Sequence, residues 1–277
     1  MKRTDLHHRE NPDTTGSPAR LTRRSFAGIA ALSATGLALA APGSASAATR
    51  PAPRRSVVLV HGAYADGSCW ADVIPRLQAA GITVTSVQNP LTSLADDVAA
   101  TRRELDVQSG RTVLVGHSYG GSVISQAGDH PAVDSLVYLS ARAPMAGEDY
   151  PALTARFPAA PAGAGLVYQN GFGHLTEDAF LNDFANGVPT ARARALYAAQ
   201  GRVAQDLFST KTTAAAWETK PSSYVITTAD RTTSPELQRF VAARMKARTT
   251  VINSGHLSFI THPDTVTRVI LEAVHRA

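Results

Sequence analysis

Short runs of apolar, β-branched residues recur along the chain from about residue 56, separated by stretches in which apolar positions return every three or four residues. The first pattern is that of a buried strand and the second that of an amphipathic helix. Strands are predicted at 56–60, 82–87, 112–115, 135–139, 224–228 and 249–252, and helices at 70–80, 91–107, 121–128, 235–247 and 263–275. Strands alternating with helices in this way form βαβ units, so the predicted fold class is α/β, a mostly parallel open sheet of about six strands flanked by helices. Pro235 and Pro263 suit the first turns of their helices, with Ser234 and either Thr261 or His262 as flanking caps.

The alternation breaks once. Residues 142–221 separate two core strands where a connecting helix needs far fewer residues. This interval is read as an inserted, mostly helical cap: Pro- and Gly-rich segments, a loop at 158–165, then helical patterns through 177–185 and 190–208. An insert at the carboxyl ends of the strands overhangs the place where open α/β sheets bind ligands, so the cap is expected to shape a pocket.

Val113–Gly121 runs an apolar strand into Gly116-His-Ser-Tyr-Gly120 and then into a helical segment. The Gly-x-Ser-x-Gly pattern in that context reads as a sharp strand-to-helix turn that lifts the Ser118 hydroxyl above the sheet, with glycines on its crowded sides. A serine hydroxyl needs a base to take its proton, and the base needs an acid to hold its tautomer. On this architecture the chain order is serine, acid, histidine. Asp230 follows the strand at 224–228 and is the acid candidate; Glu148 lies farther from a strand end, and Glu236 suits a helix first turn. His256 follows the last strand through Asn253-Ser-Gly255 and is the base candidate.

Among the other histidines, His262 is assigned to the start of the terminal helix, His130 and His275 to helix ends, His174 to a cap loop, and His117 to the interior. An oxyanion needs backbone donors. The Tyr119 amide supplies one, and the Ala63 amide, in the loop after the first strand, the other. His61-Gly62 brings that backbone close. Tyr64 and Trp70 are the candidates for the substrate pocket, although Cys69 and Trp70 begin the following helix and suit its core side better. No His, Asp, Glu or Cys set has metal-ligand spacing, and neither metal nor cofactor is expected.

Residues 1–47 carry a polar, basic start, then Arg23-Arg24, a mildly apolar run over 27–41, and small residues at Ala45-Ser-Ala47. This is the pattern of a twin-arginine export signal, so a secreted mature chain is expected to begin near Ala48 as one domain over 48–277. The run is too short and too weakly apolar for a permanent membrane span. The segment holds six Lys/Arg against three Asp/Glu, and its removal lowers the net charge from +5 to +2. No nucleic-acid or membrane partner is implied. The only cysteine, Cys69, excludes an internal disulfide in an oxidising compartment and gives no lipid anchor near the cleavage site.

With Val58-Leu-Val-His-Gly-Ala63, Gly116–Gly120, Thr228-Ala-Asp-Arg231 and Ser254-Gly-His256 in this order, residues 55–277 resemble the α/β-hydrolase superfamily. His61-Gly-Ala, Ser68-Cys-Trp70 and Pro235-Glu-Leu-Gln-Arg-Phe240 are most similar to its small branch of plant methylesterases, hydroxynitrile lyases and related bacterial esterases. The resemblance implies a cofactor-free serine hydrolase of small-molecule esters, with Ser118 as nucleophile, His256 as proton shuttle, Asp230 as its orienter, and the Ala63 and Tyr119 amides as the oxyanion hole. Lyases of that branch carry a lysine beside the histidine and a hydroxyl residue after the first-strand histidine; here Leu257 and Gly62 stand there. Lactone, amide or thioester hydrolysis is the second reading. A catalytically silent ligand-binding module on the same scaffold is the third.

Overall fold

A computed structural model of the chain describes residues 55–276. The expected export segment, 1–47, lies outside the described residues. Strand β1 spans Arg55–Val60, helix α1 Ile74–Ala79, β2 Thr83–Ser86, α2 Leu94–Asp106, β3 Arg111–His117, α3 Gly120–Ala127 and β4 Val133–Leu139. After α4 (Tyr150–Thr154) come β5 (Leu166–Gln169), β6 (Phe172–Leu175), α5 (Glu177–Ala179), α6 (Thr190–Ala198) and β7 (Val203–Ala204). The chain then completes β8 (Ser222–Thr227), α7 (Pro235–Arg244), β9 (Arg248–Ile252), α8 (Ser258–Thr261) and α9 (Pro263–Arg276).

All six predicted core strands form, in the order β2-β1-β3-β4-β8-β9, with every pair parallel. Strands β1, β3 and β4 are central and covered on both faces, which is why they read as near-continuous apolar runs: Val57–Val60, Val113–Val115 and Leu136–Leu139 are at most 1% exposed. Edge strand β9 is instead exposed along most of its length, Val251 included, and buries only Ile252.

Local chemistry sets the helix ends. Ser93 accepts from the Asp96 amide at 3.0 Å, so α2 starts at Leu94 rather than 91. The expected helix over 70–80 splits into a 3-10 turn at Gly67–Trp70, capped by Asp66, and α1 with Pro75 in its first turn. Ser234 caps α7 with Pro235 at its start, as expected.

The insert between β4 and β8 corrects the expectation of a mostly helical cap. It contains a three-stranded antiparallel sheet, β5-β6-β7, beside α4, α5, α6 and a π-helical turn at Phe180–Phe184. Asn170 (φ 52°) and Gly171 (φ 79°) make the two-residue turn between β5 and β6. Two successive positive φ values give the twist that joins antiparallel strands, and Asn-Gly is the pair that adopts them most readily. The helix expected over 190–208 ends at Ala198. There the Gln200 side chain takes both backbone groups of Leu175, at 3.1 and 3.0 Å, and turns the chain so that Val203–Ala204 pairs with β6. Phe180, Phe184, Val203 and Leu207 join the main apolar core, so the insert is packed onto the sheet.

A Cβ at Gly171 would meet nothing within 4 Å, which isolates its backbone requirement. Gly171→Ala is expected to lower the unfolding free energy by about 1 kcal/mol. The reading is a lower urea midpoint at unchanged slope.

Candidate active site

The four loops at the carboxyl ends of β1, β3, β8 and β9 carry the residues of interest. Ser118 directly follows β3 at φ 52°, a left-handed backbone for a non-glycine residue. The turn is locked by Ser118 N–H donating to the Leu139 carbonyl at 3.1 Å, while the Ser118 carbonyl accepts from Gly121 and Arg142 at 3.0 and 2.9 Å. It closes so tightly that a Cβ at Gly120 would lie 2.7 Å from the Val60 carbonyl oxygen, and one at Gly116 2.8 Å from that of Gly120. These two glycines meet the requirement read from the sequence.

Asp230 lies three residues beyond β8 and is buried. Its Oδ2 accepts from His256 Nδ1 at 2.8 Å, Gln238 Nε2 at 2.8 Å and the Thr227 hydroxyl at 2.9 Å, while Oδ1 accepts from the Thr232 and Thr233 amides at 2.8 and 2.9 Å. Burial alone raises the carboxyl pKa. His256 beside it and the Thr233 and Thr232 amides outweigh that and hold it below its ordinary value of 3.8. His256 is 0% exposed, and its second nitrogen, Nε2, is buried with no hydrogen-bond partner. An imidazole held at Nδ1 by a carboxylate and open at Nε2 has the arrangement a general base needs.

His117, expected in the interior, is fully buried. Its Nε2–H donates to the His256 carbonyl at 3.2 Å and its ring lies 4.5 Å from the His256 ring, so the elbow and the β9 loop meet here. Burial, then His256, pushes its pKa well down and keeps it neutral. His61 is also neutral, its pKa lowered chiefly by burial. Its Nδ1–H donates to the Gly62 carbonyl at 2.8 Å, and Nε2 accepts from the Asn89 amide at 3.0 Å. That pair of bonds folds the loop so that a Cβ at Gly62 would lie 2.8 Å from Ser118 Cβ. The Ala63 backbone therefore stands one residue from this contact, and Tyr119 follows Ser118 directly.

Tyr64 (φ 61°) is buried against Phe184 and Phe208, with ring centroids 6.0 and 6.1 Å away, and Phe184 in turn lies 5.4 Å from the His256 ring. Tyr64 and Phe184, with Phe180, Leu196, Leu257 and Ile260, line a narrow apolar cleft. Trp70 is placed elsewhere. It is 0% exposed, its ring 4.4 Å from that of Phe259 and edge-on to that of His117 at 6.5 Å, and it does not line the cleft. Burial pushes the Cys69 thiol well up, which keeps it unreactive.

Gln238 and Thr227 were not singled out from the sequence. Gln238 is fully buried on α7 and bonds Asp230, the Thr227 amide (2.9 Å) and the Thr233 carbonyl (2.9 Å). The signal available was an amide side chain on the face of α7 where apolar residues were expected. From the insert, Asp183 pairs with Arg231 at 2.6 Å and Asn186 Nδ2 donates to the Ala229 carbonyl at 2.9 Å.

A parallel sheet carrying a serine on a strand-to-helix turn, with a buried acid and imidazole at neighbouring strand ends, defines an α/β-type hydrolase. The chain belongs to the alpha/beta hydrolase family, whose profile matches residues 57–269. Over 110 residues it is 36% identical to a carbendazim hydrolyzing esterase of Nocardioides sp. (strain SG-4G), a match covering 35% of this chain and 46% of that protein. The chain thus spans about half the length of that relative. Polyneuridine aldehyde esterase has a similar structure, at TM-score 0.70 and 18% identity over 79% of this chain and 99% of that one. So does the methylesterase MES16 from Arabidopsis, at TM-score 0.65 and 20% identity over 80% and 99%.

With its folded-state pKa below 3.8, ionised Asp230 contributes stability that is present above that pH and lost as pH falls through the lowered value. Asp230→Asn removes this contribution. Urea titrations of both proteins are expected to give a free-energy gap that is widest near neutral pH and closes below about pH 4. A gap that does not change with pH would contradict the assignment.

Proposed function

We propose that the protein is an exported serine esterase acting on small or medium carboxylic esters. The observation that carries this reading is the His256–Asp230 bond of 2.8 Å with His256 Nε2 left open, beside a serine held on a left-handed turn. In this mechanism His256 Nε2 takes the proton of the Ser118 hydroxyl as Oγ attacks the ester carbonyl. The resulting oxyanion is held by the Ala63 and Tyr119 amides. Collapse breaks the ester bond, and the departing alcohol takes the proton from His256. Water, deprotonated by His256 in the same way, then releases the acid from Ser118. Asp230 keeps the imidazole in its Nδ1–H tautomer and stabilises the imidazolium formed at each step. Tyr64, with Phe184 and Phe208, walls the substrate pocket. The names of similar proteins support an ester as the bond cleaved, since these include a carbendazim hydrolyzing esterase and a methylesterase. Arg23-Arg24 and the small residues at 45–47 support export.

Hydrolysis of a short-to-long series of p-nitrophenyl esters by the purified protein tests this reading. Ser118→Ala is expected to lose essentially all turnover while keeping the melting profile of the unaltered protein. Asp230→Asn is expected to lose on the order of 10⁴-fold in kcat by favouring the wrong tautomer. Undiminished turnover in Ser118→Ala would overturn the proposal.

A further inference from the structure

The carboxylate of Asp97, on α2, is 0% exposed and, among the described residues, forms no ion pair within 4.0 Å. It has two hydrogen-bond donors. The Leu91 amide donates to Oδ1 at 2.8 Å and the Tyr119 hydroxyl to Oδ2 at 2.8 Å. Tyr119 is the residue directly after Ser118, and its ring is buried, packed edge-on to Phe208 at 6.0 Å. A buried carboxylate without a cation costs several kcal/mol, and an apolar side chain in its place would serve stability better. The retained charge is therefore better explained by what it holds.

Leu91 is itself constrained, at φ 59°, and its carbonyl accepts from Ala204 of β7 at 2.8 Å. Two residues earlier, Asn89 donates its amide to His61 Nε2 (3.0 Å) and its side-chain N–H to the His61 carbonyl (2.9 Å). One short segment thus reaches both loops beside Ser118: the Gly62-Ala63 backbone through Asn89 and His61, and Tyr119 through Leu91 and Asp97.

We propose that Asp97 is a positioning residue for the reaction, holding the Tyr119 hydroxyl so that the Tyr119 amide faces the oxyanion formed at Ser118. This rests on the serine-esterase reading. Asp97 touches neither substrate nor nucleophile; it acts through the Tyr119 side chain, whose displacement tilts the peptide N–H that the transition state uses. Burial pushes the Asp97 carboxyl up to about 6, against the Leu91 and Tyr119 donors that lower it, so it is ionised and a full acceptor at pH 8. Oxyanion donors act on the transition state more than on bound substrate, so kcat is the parameter that changes.

The experiment is a double-mutant cycle on the purified full chain at pH 8 with p-nitrophenyl butyrate, using Tyr119→Phe, Asp97→Ala and their combination, with Asp97→Asn as the conservative variant. Each single change is expected to lower kcat about tenfold with KM within about twofold, a partial loss of what deleting an oxyanion donor does. The combination is expected to be no worse than the poorer single, because both remove the same hydrogen bond. Asp97→Asn regains most of the loss, since its carboxamide still accepts from Leu91 and pairs with the Tyr119 hydroxyl. Losses that multiply in the combination, or a change confined to KM, overturn the proposal. Should Asp97→Ala fail to fold, Tyr119→Phe decides alone, and full kcat in it is a refutation. A dead Ser118→Ala alongside a fully active Tyr119→Phe would overturn this inference and leave the esterase reading standing; an active Ser118→Ala would remove the reading itself.

Discussion

The left-handed backbone at Ser118 is the constraint from which the rest of the site follows. A non-glycine residue at φ 52° costs about 1–2 kcal/mol and persists only where its surroundings over-determine it. Here three backbone hydrogen bonds, to Leu139 and from Gly121 and Arg142, supply that determination. The tightness of the turn then dictates its neighbours. Gly121 packs so close to the start of the insert that a Cβ there would overlap the Arg142 carbonyl, and one at Gly120 would lie 2.7 and 2.8 Å from the Val60 and His61 carbonyl oxygens. The paths of the insert and of the first loop are thus both set by one strained residue. That requires β3 to be central in the sheet, with β1 on one side and β4 on the other, as the strand order has it.

Electrostatics then separates residues that look alike in composition. His61, His117 and His256 are all buried near one another, yet only His256 has a carboxylate partner. His117 and His61 spend their ring nitrogens on backbone groups, and burial drives both toward the neutral form. A charged imidazole 4.5 Å from the His256 ring would repel positive charge there, and neutral His117 does not. The acid is treated differently again. Asp230 receives five hydrogen bonds, which offset its desolvation, while Asp97 receives two and remains a weaker acid.

The sheet was legible from the sequence because period and composition act locally: each strand is a buried β-branched run, and each flanking helix shows its own capping residues. The pairing of Asp230 with His256 was legible because a strand end leaves few residues to choose from. The insert was less so. Its helical periodicity over 190–208 was overridden by tertiary pairing, with Gln200 capturing Leu175 and diverting the chain into β7. The turn of the hairpin is carried by Asn170-Gly171, a pair that favours two positive φ values, but its flanking strands are too short and too weakly patterned to declare themselves as strands. Trp70 packs in the core against Phe259, the side the sequence favoured for it. Gln238, Asn89 and Asp97 were invisible. A polar residue on a helix or loop does not announce which buried partner it will meet.

The insert is more than an overhang. Asp183 and Asn186 hold Arg231 and Ala229, which flank Asp230, and a Cβ at Gly255, one residue before His256, would collide with the Asn186 backbone. Phe184, between those two anchors, lies against the His256 ring. The Asp183–Arg231 pair is half-exposed at the arginine and alone is worth no more than about 1 kcal/mol. Its position matters more than its strength, because it acts on the loop whose two amides hold the Asp230 carboxylate. A separate lid would let the pocket change without touching the acid and the imidazole. This arrangement does not, since the π-helical turn that presents Phe180 and Phe184 to the cleft is the same segment that braces the loops of Asp230 and His256. A substitution at 180–186 that remodels the cleft therefore also reaches the loops that carry Asp230 and His256.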